Sequence, residues 1–420
     1  MQVAIHNAQI IDPSQPGQAG HYNLLIDNGA IAAITQEAVE ADVTIASPNL
    51  MVSAGWFDMN ASIGDPGLEY KEDLQSAAAA AAAGGFTELL MLPNTQPVVQ
   101  TKNEVAYIIA GNRTALTQIH PAGAITTDAK GERLTEMIDM HHAGAVAFTD
   151  GKQPLWNADV FVKALQYLGQ FNGLLINKPV DRHLTAFGTM NEGYQSTLLG
   201  LSGMPNMAEE LMIARDLRLL EYAGGRLHLA NVSTAEGVAL IKAAKAKGLH
   251  VTCDMAAHQL AFTDEVVDGY DTHYKVDPPF RTATDRTALT EAIADGTVDV
   301  LVSAHTPQDV ESKHLEFDLA DFGITGLQTF LPALQSQLNL SANSLVQMAA
   351  IKPRQLLNLP VPAIAVGAPA NLTVFDPTAQ WAFTEGNNLS KSANSPFLGQ
   401  TLTGKVLATF NRGQHHINTY

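Results

Sequence analysis

The chain has 420 residues, 46% hydrophobic and 16% charged, so it can bury a large core and form one large domain and a smaller one. Its 42 acidic and 24 basic residues give a formal charge of −18, which argues against nucleic acid as a partner. The single cysteine, Cys253, excludes an intrachain disulfide. No apolar run reaches the roughly 18 residues that span a bilayer, and the N-terminus MQVAIHNAQIID does not resemble a signal peptide. We therefore expect a cytoplasmic protein that does not associate with membranes.

The first 50 residues contain short strand-like runs separated by Gly, Pro and Asn turns. Eight candidate strands then follow, at 52–59, 86–92, 119–125, 145–149, 174–177, 226–230, 250–254 and 298–303. Helix-like stretches lie between them, at 73–83, 158–168, 207–223, 233–247 and 282–294. Strand-like runs return at about 360–420.

Alternation of apolar strands with helices is typical of an α/β protein with a parallel sheet. Eight such units predict a closed (β/α)8 barrel of the TIM type. An open doubly wound sheet is the alternative, but no Gly-rich phosphate loop follows the first strand. We assign the barrel to residues 52–358 and a composite β-sandwich to 1–51 and 359–420, with both chain ends pairing.

Chemistry on such a barrel is expected where the strands end. Polar residues do follow these ends, namely Asn60, Ser62, Asn94, Asp150, Asn177, Lys178, Asn231, His305 and Gln308. A metal ion bound for hydrolysis prefers imidazole and carboxylate ligands and keeps one position open for water. These strand ends offer mainly carboxamides and hydroxyls instead.

Several motifs resemble the dihydroorotases found beside aspartate carbamoyltransferase in pyrimidine synthesis. In chain order they are DPGLEYKED (65–73), GGFTELLMLPNTQPVV (84–99), NEG (191–193), GMPNMAEELMIARDL (203–217), KVDPPFR (275–281), GTVDVLVSAHTP (296–307), FGITGLQT (322–329) and SPFLGQTLTGKV (395–406). The resemblance runs from the first barrel strand to the last. It implies the amidohydrolase superfamily barrel, a composite β-domain and a catalytic zinc site.

The zinc site implied by the resemblance is degenerate. Its metal-binding positions fall on Asn60, Ser62, Asp150, Asn177, Asn231 and Ala304. Four histidines are thus replaced, and Ala304 stands where the family has its catalytic aspartate. Only the bridging aspartate is retained, as Asp150. The resemblance therefore predicts no catalytic residue and no bound zinc.

The substrate side is also altered. The positions implied by the resemblance are Gly64, Asn94, Asp277, Gln308, Phe322 and Gly323. Gly64 replaces an arginine, Asp277 an asparagine and Gln308 a histidine, whereas Asn94 and the Phe322-Gly323 segment remain. Loss of a guanidinium and gain of a carboxylate would disfavour an anionic substrate.

Other residues could rebuild a site. Candidates near strand ends are His228, His258 and His305, with Asp58, Asp150 and Asp254. His228 is more typical of a hydrogen-bonded core histidine. Lys178 could fill the metal position electrostatically beside Asp150; otherwise it would extend to solvent.

Three functions remain open. The first is a non-catalytic dihydroorotase homologue that works in a complex with aspartate carbamoyltransferase. The second is an amidohydrolase that cleaves another cyclic amide or imide with a rebuilt or metal-free site. The third is a barrel that senses a ligand without turnover. We expect a homo-oligomer or hetero-oligomer.

Overall fold

The computed structural model describes residues 1–13, 20–335 and 340–420. Its strands are β1 Gln2–Ile11, β2 His21–Asp27, β3 Ala30–Thr35, β4 Val43–Ile45, β5 Met51–Ala54, β6 Trp56–Ala61, β7 Phe86–Met91, β8 Gln118–Gly123, β9 Ala147–Phe148, β10 Leu175–Asn177, β11 Met190–Asn191, β12 Gly203–Met204, β13 Leu227–Leu229, β14 Val251–Ala256, β15 Val300–Val302, β16 Leu372–Ala382, β17 Thr401–Asn411 and β18 Gln414–Ile417.

The α-helices are α1 Leu74–Ala83, α2 Lys102–Gly111, α3 Met137–Ala143, α4 Ala158–Gly169, α5 Tyr194–Leu199, α6 Met207–Ala223, α7 Ala235–Ala246, α8 His258–Ala261, α9 Ala283–Ala294, α10 Val310–Lys313, α11 Phe330–Gln335, α12 Ala342–Val346 and α13 Lys352–Leu356. A π-helical turn, Gln347–Ile351, joins α12 to α13. No helix in these described ranges is long and apolar enough to cross a membrane.

Eight parallel strands form the barrel in the order β15-β14-β13-β10-β9-β8-β7-β6. The two outer strands meet at a bridge between Ala61 and His305, where the Ser62 N–H donates to the His305 carbonyl at 2.8 Å. The buried Asp58 carboxylate strengthens this seam by accepting from the Ser303 N–H at 3.0 Å. The predicted α/β barrel fold is therefore confirmed as a nearly closed parallel barrel.

Both chain ends contribute to a second sheet, in the order β18-β17-β16-β5-β1-β2-β3 with β4 on β1. The antiparallel pairing of β5 with β16 joins the two ends. This β-rich unit was expected, but the candidate strand 52–59 is corrected, since β5 and β6 belong to different sheets. The chain crosses between the sheets at Gly55, where a Cβ would lie 2.2 Å from the Asn371 and Thr87 side chains.

Helix caps and small side chains set how the helices sit on the barrel. Asp73 caps α1 by accepting from the N–H groups of Gln75 and Ser76, as the cap pattern predicts. The alanines of α1 are mostly buried, so this helix packs close to the strands. After β10 the chain makes an excursion that was not predicted, in which β11 pairs with β12 around α5.

Candidate functional site

The carboxyl ends of the barrel strands surround a cavity of about 70 Å³. Four of the six degenerate metal-site positions line it, namely Asn60, Ser62, Asn231 and Ala304. The substrate-side positions Asp277, Phe322 and Gly323 also line it, together with Lys152, Lys178 and His258. The structure thus brings four of the nine residues predicted at strand ends to the cavity, namely Asn60, Ser62, Lys178 and Asn231, and leaves Asn94, Asp150, Asn177, His305 and Gln308 outside its lining.

Asp150 does not line the cavity and is held by the loop after β8. Its carboxylate accepts from the Thr126 N–H at 2.8 Å and from the Thr126 hydroxyl at 2.5 Å. Burial raises the pKa of Asp150 to about 6, although these hydrogen bonds favour the ionised form. Lys178 could have placed its ammonium group beside Asp150 or extended to solvent; instead it pairs with Asp277.

Asn177 is committed to structural contacts. Its side-chain oxygen accepts from the Leu155 N–H at 2.9 Å, and its NH2 group donates to Asp216 at 2.6 Å. Burial raises the pKa of Asp216 to about 6 despite the neighbouring Arg215. The carboxamide therefore connects β10 to α6 and is not aimed at the cavity.

Asn231 and Ala304 share an unusual backbone conformation. Both have positive φ, 55° and 47°, which is uncommon for residues other than glycine. The Asn231 N–H donates to Asp254 at 2.6 Å, while its side-chain oxygen is buried without a partner. The backbone at these strand ends is thus strained, and Ala304 offers no group that could bind a metal or move a proton.

Lys178 and Lys152 give the cavity its positive charge. Lys178 is 7% exposed and forms an ion pair with Asp277. Lys152 is exposed as a residue at the rim, but burial of its ammonium group, together with the positive charges of Lys178 and Lys71, lowers its pKa to about 8. Two ammonium groups therefore face a space that the family resemblance assigns to a cation.

The remaining substrate-side residues do not line the cavity. At Gly64 a Cβ would lie 2.1 Å from the Leu68 carbonyl oxygen, so this backbone has no room for the arginine implied by the resemblance. Gln308 donates to the Phe322 carbonyl at 2.7 Å and accepts from Lys71 at 2.5 Å. Asn94 braces the loop after β9, accepting from the Lys152 N–H at 2.8 Å.

Two of the three candidate histidines serve the barrel wall. His228 is fully buried and contacts Thr252 and Asp254, at 2.8 and 3.0 Å. His305 contacts Glu72 at 3.2 Å. Both fill hydrogen-bonding roles in the core.

His258 is the histidine that lines the cavity. Burial lowers its pKa to about 4, so it is neutral at physiological pH, although a backbone hydrogen bond to Ser303 acts in the opposite direction. Its Nδ1 is buried without a partner. A free imidazole nitrogen therefore faces the emptied site.

The donor set does not fit the zinc ion implied by the resemblance. Within residues 1–13, 20–335 and 340–420, no three His, Cys, Asp or Glu side chains are grouped to hold a metal. The polar groups that do line the site include neutral amides and a hydroxyl, which are poor zinc ligands, and the nearby ammonium groups would repel a dication.

Lys152 was not among the candidates predicted from the sequence. Its position could have suggested it, because it follows the end of β9 by only a few residues. Thr126 and Asp216 were also missed. No local signal marks them, since they act by holding Asp150 and Asn177 from 24 and 39 residues away along the chain.

Comparison with known proteins agrees with the geometry of the barrel. Residues 49–237 match the family described as Dihydro-orotase-like, and residues 205–415 match the Amidohydrolase family. A dihydroorotase of Pelobacter propionicus is 40% identical over 420 residues, covering 99% of both chains. One of Pelotomaculum thermopropionicum is 40% identical over 421 residues, covering 99% of this chain and 98% of its own.

A solved structure shares the fold at lower identity. The L-hydantoinase of Arthrobacter aurescens has a TM-score of 0.85 and 24% identity, covering 99% of this chain and 97% of its own. The level of identity to the dihydroorotases, over nearly the whole length, establishes the family. The chain belongs to the dihydroorotase-like family of amidohydrolases.

Proposed function

We propose that this protein is a non-catalytic dihydroorotase homologue of de novo pyrimidine biosynthesis that acts as a structural or regulatory partner of an aspartate carbamoyltransferase. The observation that carries the proposal is the donor set at the barrel mouth. Asn60, Ser62 and Asn231 are neutral, and Ala304 carries no functional group.

Loss of these groups removes the basis of hydrolysis in this superfamily. A bound metal lowers the pKa of water from 15.7 to about 7, and without it there is no hydroxide nucleophile at neutral pH. Asp150 is held by Thr126 and does not line the cavity, so it cannot reach a substrate there. The protein keeps the fold of an amidohydrolase without the groups that perform its chemistry.

Exposed apolar side chains on the excursion after β10 support a role in binding another protein. They are Leu184, Phe187, Tyr194 and Leu198, and Met207 and Leu211 follow them in the first turns of α6. Phe187 is 87% exposed and Tyr194 78%. Exposed apolar surface often marks a site of protein–protein contact, and the pathway implied by the family resemblance favours the carbamoyltransferase as the partner.

The test is co-expression of this chain with the aspartate carbamoyltransferase of the same organism. We expect the two to co-elute, with an interface of at least about 1,000 Å². Phe187→Ser with Tyr194→Ser should abolish co-elution, whereas Tyr222→Ser, equally exposed at the other end of α6, should not. Independent elution, with full transferase activity in the absence of this chain, would contradict the proposal.

One observation favours the second candidate, a metal-free amidohydrolase acting on another cyclic amide or imide. His258 presents an unpartnered Nδ1 to the cavity and could act as a base. Hydrolysis of hydantoin or dihydrouracil that is lost in His258→Ala would support this function. Its lowered pKa, about 4, makes His258 a weak base and leaves this candidate second.

A further inference from the structure

A groove of about 490 Å³ lies on the surface outside the barrel cavity. It is lined by residues 270–273, 308–310, 313–315 and 393–394, and we call it the lateral groove. These residues are separate from those that line the barrel cavity. The lateral groove therefore needs an account of its own.

Three apolar side chains of the lateral groove are exposed. Val310 is 73% exposed, Leu315 47% and Tyr270 46%. The Tyr270 hydroxyl donates to the Leu199 carbonyl at 2.8 Å, so its polar end is satisfied and the ring is left for apolar contact. Exposed apolar side chains that are surrounded by polar residues often mark a place where another protein docks.

Hydrogen bonds hold the two sides of the groove together. The Thr272 hydroxyl donates to the Lys313 carbonyl at 2.6 Å. The Lys313 ammonium group donates to the Asp321 carbonyl at 2.8 Å, so it is engaged by the backbone. Val267 and Phe317, next to the two sides, pack in one small apolar cluster. The groove is therefore preformed, which lowers the entropy cost of binding.

The surroundings of the groove are acidic. Segments 268–274 and 308–321 supply most of its lining and contain seven Asp or Glu residues, with Lys313 as their one lysine. Lys71 pairs with two of these acids, at 3.1 and 3.9 Å. Even with both lysines and both histidines of the segments charged, the net charge would remain negative. An acidic rim around apolar side chains complements an apolar group flanked by cations.

Other occupants fit these groups less well. A second copy of this chain, with 42 acidic and 24 basic residues, would bring charge of the same sign. No three His, Cys, Asp or Glu side chains in the described part of the chain are grouped to hold a metal ion.

We propose that the lateral groove binds a short segment of another protein in which apolar side chains are flanked by lysine or arginine. The apolar side chains contact Tyr270, Val310 and Leu315, and the cations face the acidic rim. The proposal does not rest on the proposed function, because the groove uses other segments than the exposed apolar residues after β10.

Fluorescence anisotropy of labelled peptides with the full chain tests this proposal. The first peptide has two leucines with a pair of lysines on each side. Serines replace the leucines in the second peptide, and glutamates replace the lysines in the third. The first should bind at least about 10-fold more tightly than either, because it alone combines apolar contact with positive charge. Equal binding of the serine peptide, or no binding of the leucine-lysine peptide at submillimolar concentrations of the chain, would overturn the proposal.

Substitution of the apolar side chains tests their role. Val310→Ser with Leu315→Ser should weaken binding of the leucine-lysine peptide at least about 10-fold. Val361→Ser with Val366→Ser is the control, since these valines are 40% and 62% exposed and lie outside the groove. Equal affinities of the two double variants would contradict the assignment. A dimer in sedimentation that dissociates in the groove variant would assign the groove to a second copy and would also overturn the proposal.

Removal of negative charge tests the rim. Asp271→Asn with Glu311→Gln should weaken binding several-fold, as should raising NaCl from about 50 to about 300 mM, since salt screens exposed charges. Asp159→Asn with Glu236→Gln removes the same charge from exposed positions on α4 and α7 and should leave the affinity unchanged. Equal losses in both double variants would show that only the overall charge of the chain matters, against the proposal.

The two proposals fail in different ways. If the leucine-lysine peptide does not bind but the chain still co-elutes with the carbamoyltransferase, the groove assignment is wrong and the proposed function stands. If the peptide binds in the groove but the transferase elutes alone with full activity, the groove stands and the proposed function is wrong.

Discussion

Asp150 is a buried carboxylate whose hydrogen bonds come from a single short segment around Thr126. In the family resemblance this residue bridges metal ions, but here it has no cationic partner within the described residues. Its charge is therefore a cost to the folded state, and this cost predicts an unusual dependence of stability on pH.

Replacing Asp150 with Asn tests that cost. Since the pKa of Asp150 is raised from 3.8 to about 6, the folded state holds the proton more tightly than the unfolded state. Its contribution to stability is full below pH 3.8 and is lost as the pH rises to about 6, amounting to about 3 kcal/mol. Urea unfolding should therefore show Asp150→Asn gaining stability over the parent between pH 4 and 7. A constant difference across that range would contradict this prediction.

Metal content is the second prediction at the residue scale. Because Asn60, Ser62 and Asn231 are neutral and Lys178 is cationic, zinc added to the protein should be removed by dialysis against a chelator. Elemental analysis should then find far less than one zinc per chain. About one retained equivalent, reduced in Asn60→Ala, would show that the barrel mouth binds metal after all.

For single residues, the sequence predicts which metal ligands of the family are replaced. It does not predict which residues the replacing side chains contact. The family resemblance implies that histidines are replaced at positions 60, 62, 177 and 231. The pairing of Lys178 with Asp277 joins residues 99 apart, and the commitment of Asn177 to Asp216 depends on how α6 packs. Such contacts follow from the tertiary fold and have no local signal.

The elements were predicted more fully than the contacts. α6 has the predicted bounds 207–223, and each barrel strand overlaps its candidate, because buried apolar runs and capped helices are strong local signals. The break between β5 and β6 was not predicted, because the two strands follow each other in the sequence as one mainly apolar run. The break becomes apparent only in the folded structure, where Thr87 and Asn371 lie close to Gly55. The excursion with β11 and β12 was missed because two-residue strands carry no periodicity.

Arg354 is the residue that ties the last helix of the barrel to its first strands. It is fully buried in α13 and donates to Glu88 at 2.7 Å and to the Gly55 carbonyl at 2.7 Å. Burial would raise the pKa of Glu88, but His120 and Arg354 outweigh it and hold the pKa at about 2.

Arg354→Met should destabilise the fold by about 3–5 kcal/mol, because it leaves a buried carboxylate with only its histidine partner. Thermal or urea unfolding measures this loss. Arg218→Met removes an arginine whose side chain is 81% exposed and should change stability by less than about 1 kcal/mol. Comparable effects of the two substitutions would contradict the role assigned to Arg354.

For the whole molecule, an intact amidohydrolase fold surrounds a cavity lined by Asn60, Ser62, Asn231 and Ala304. The barrel seam, the helix caps and the β-rich sheet are all present. An intact fold of this kind is consistent with a protein that acts through its surface. Asn60→His with Ser62→His should therefore not create dihydroorotase activity, because the ligands and the base that Asn177, Asn231 and Ala304 replace in the family resemblance would still be missing. Activity in that double variant with added zinc would show that two ligands suffice.

The most direct test of the central claim is turnover of dihydroorotate, and of carbamoyl-aspartate in the reverse direction, by the purified protein with and without zinc. We expect rates indistinguishable from those of a protein-free control, because no metal-bound hydroxide can form and Ala304 supplies no base. A rate that increases in proportion to protein concentration and disappears in Asp150→Ala would contradict the account.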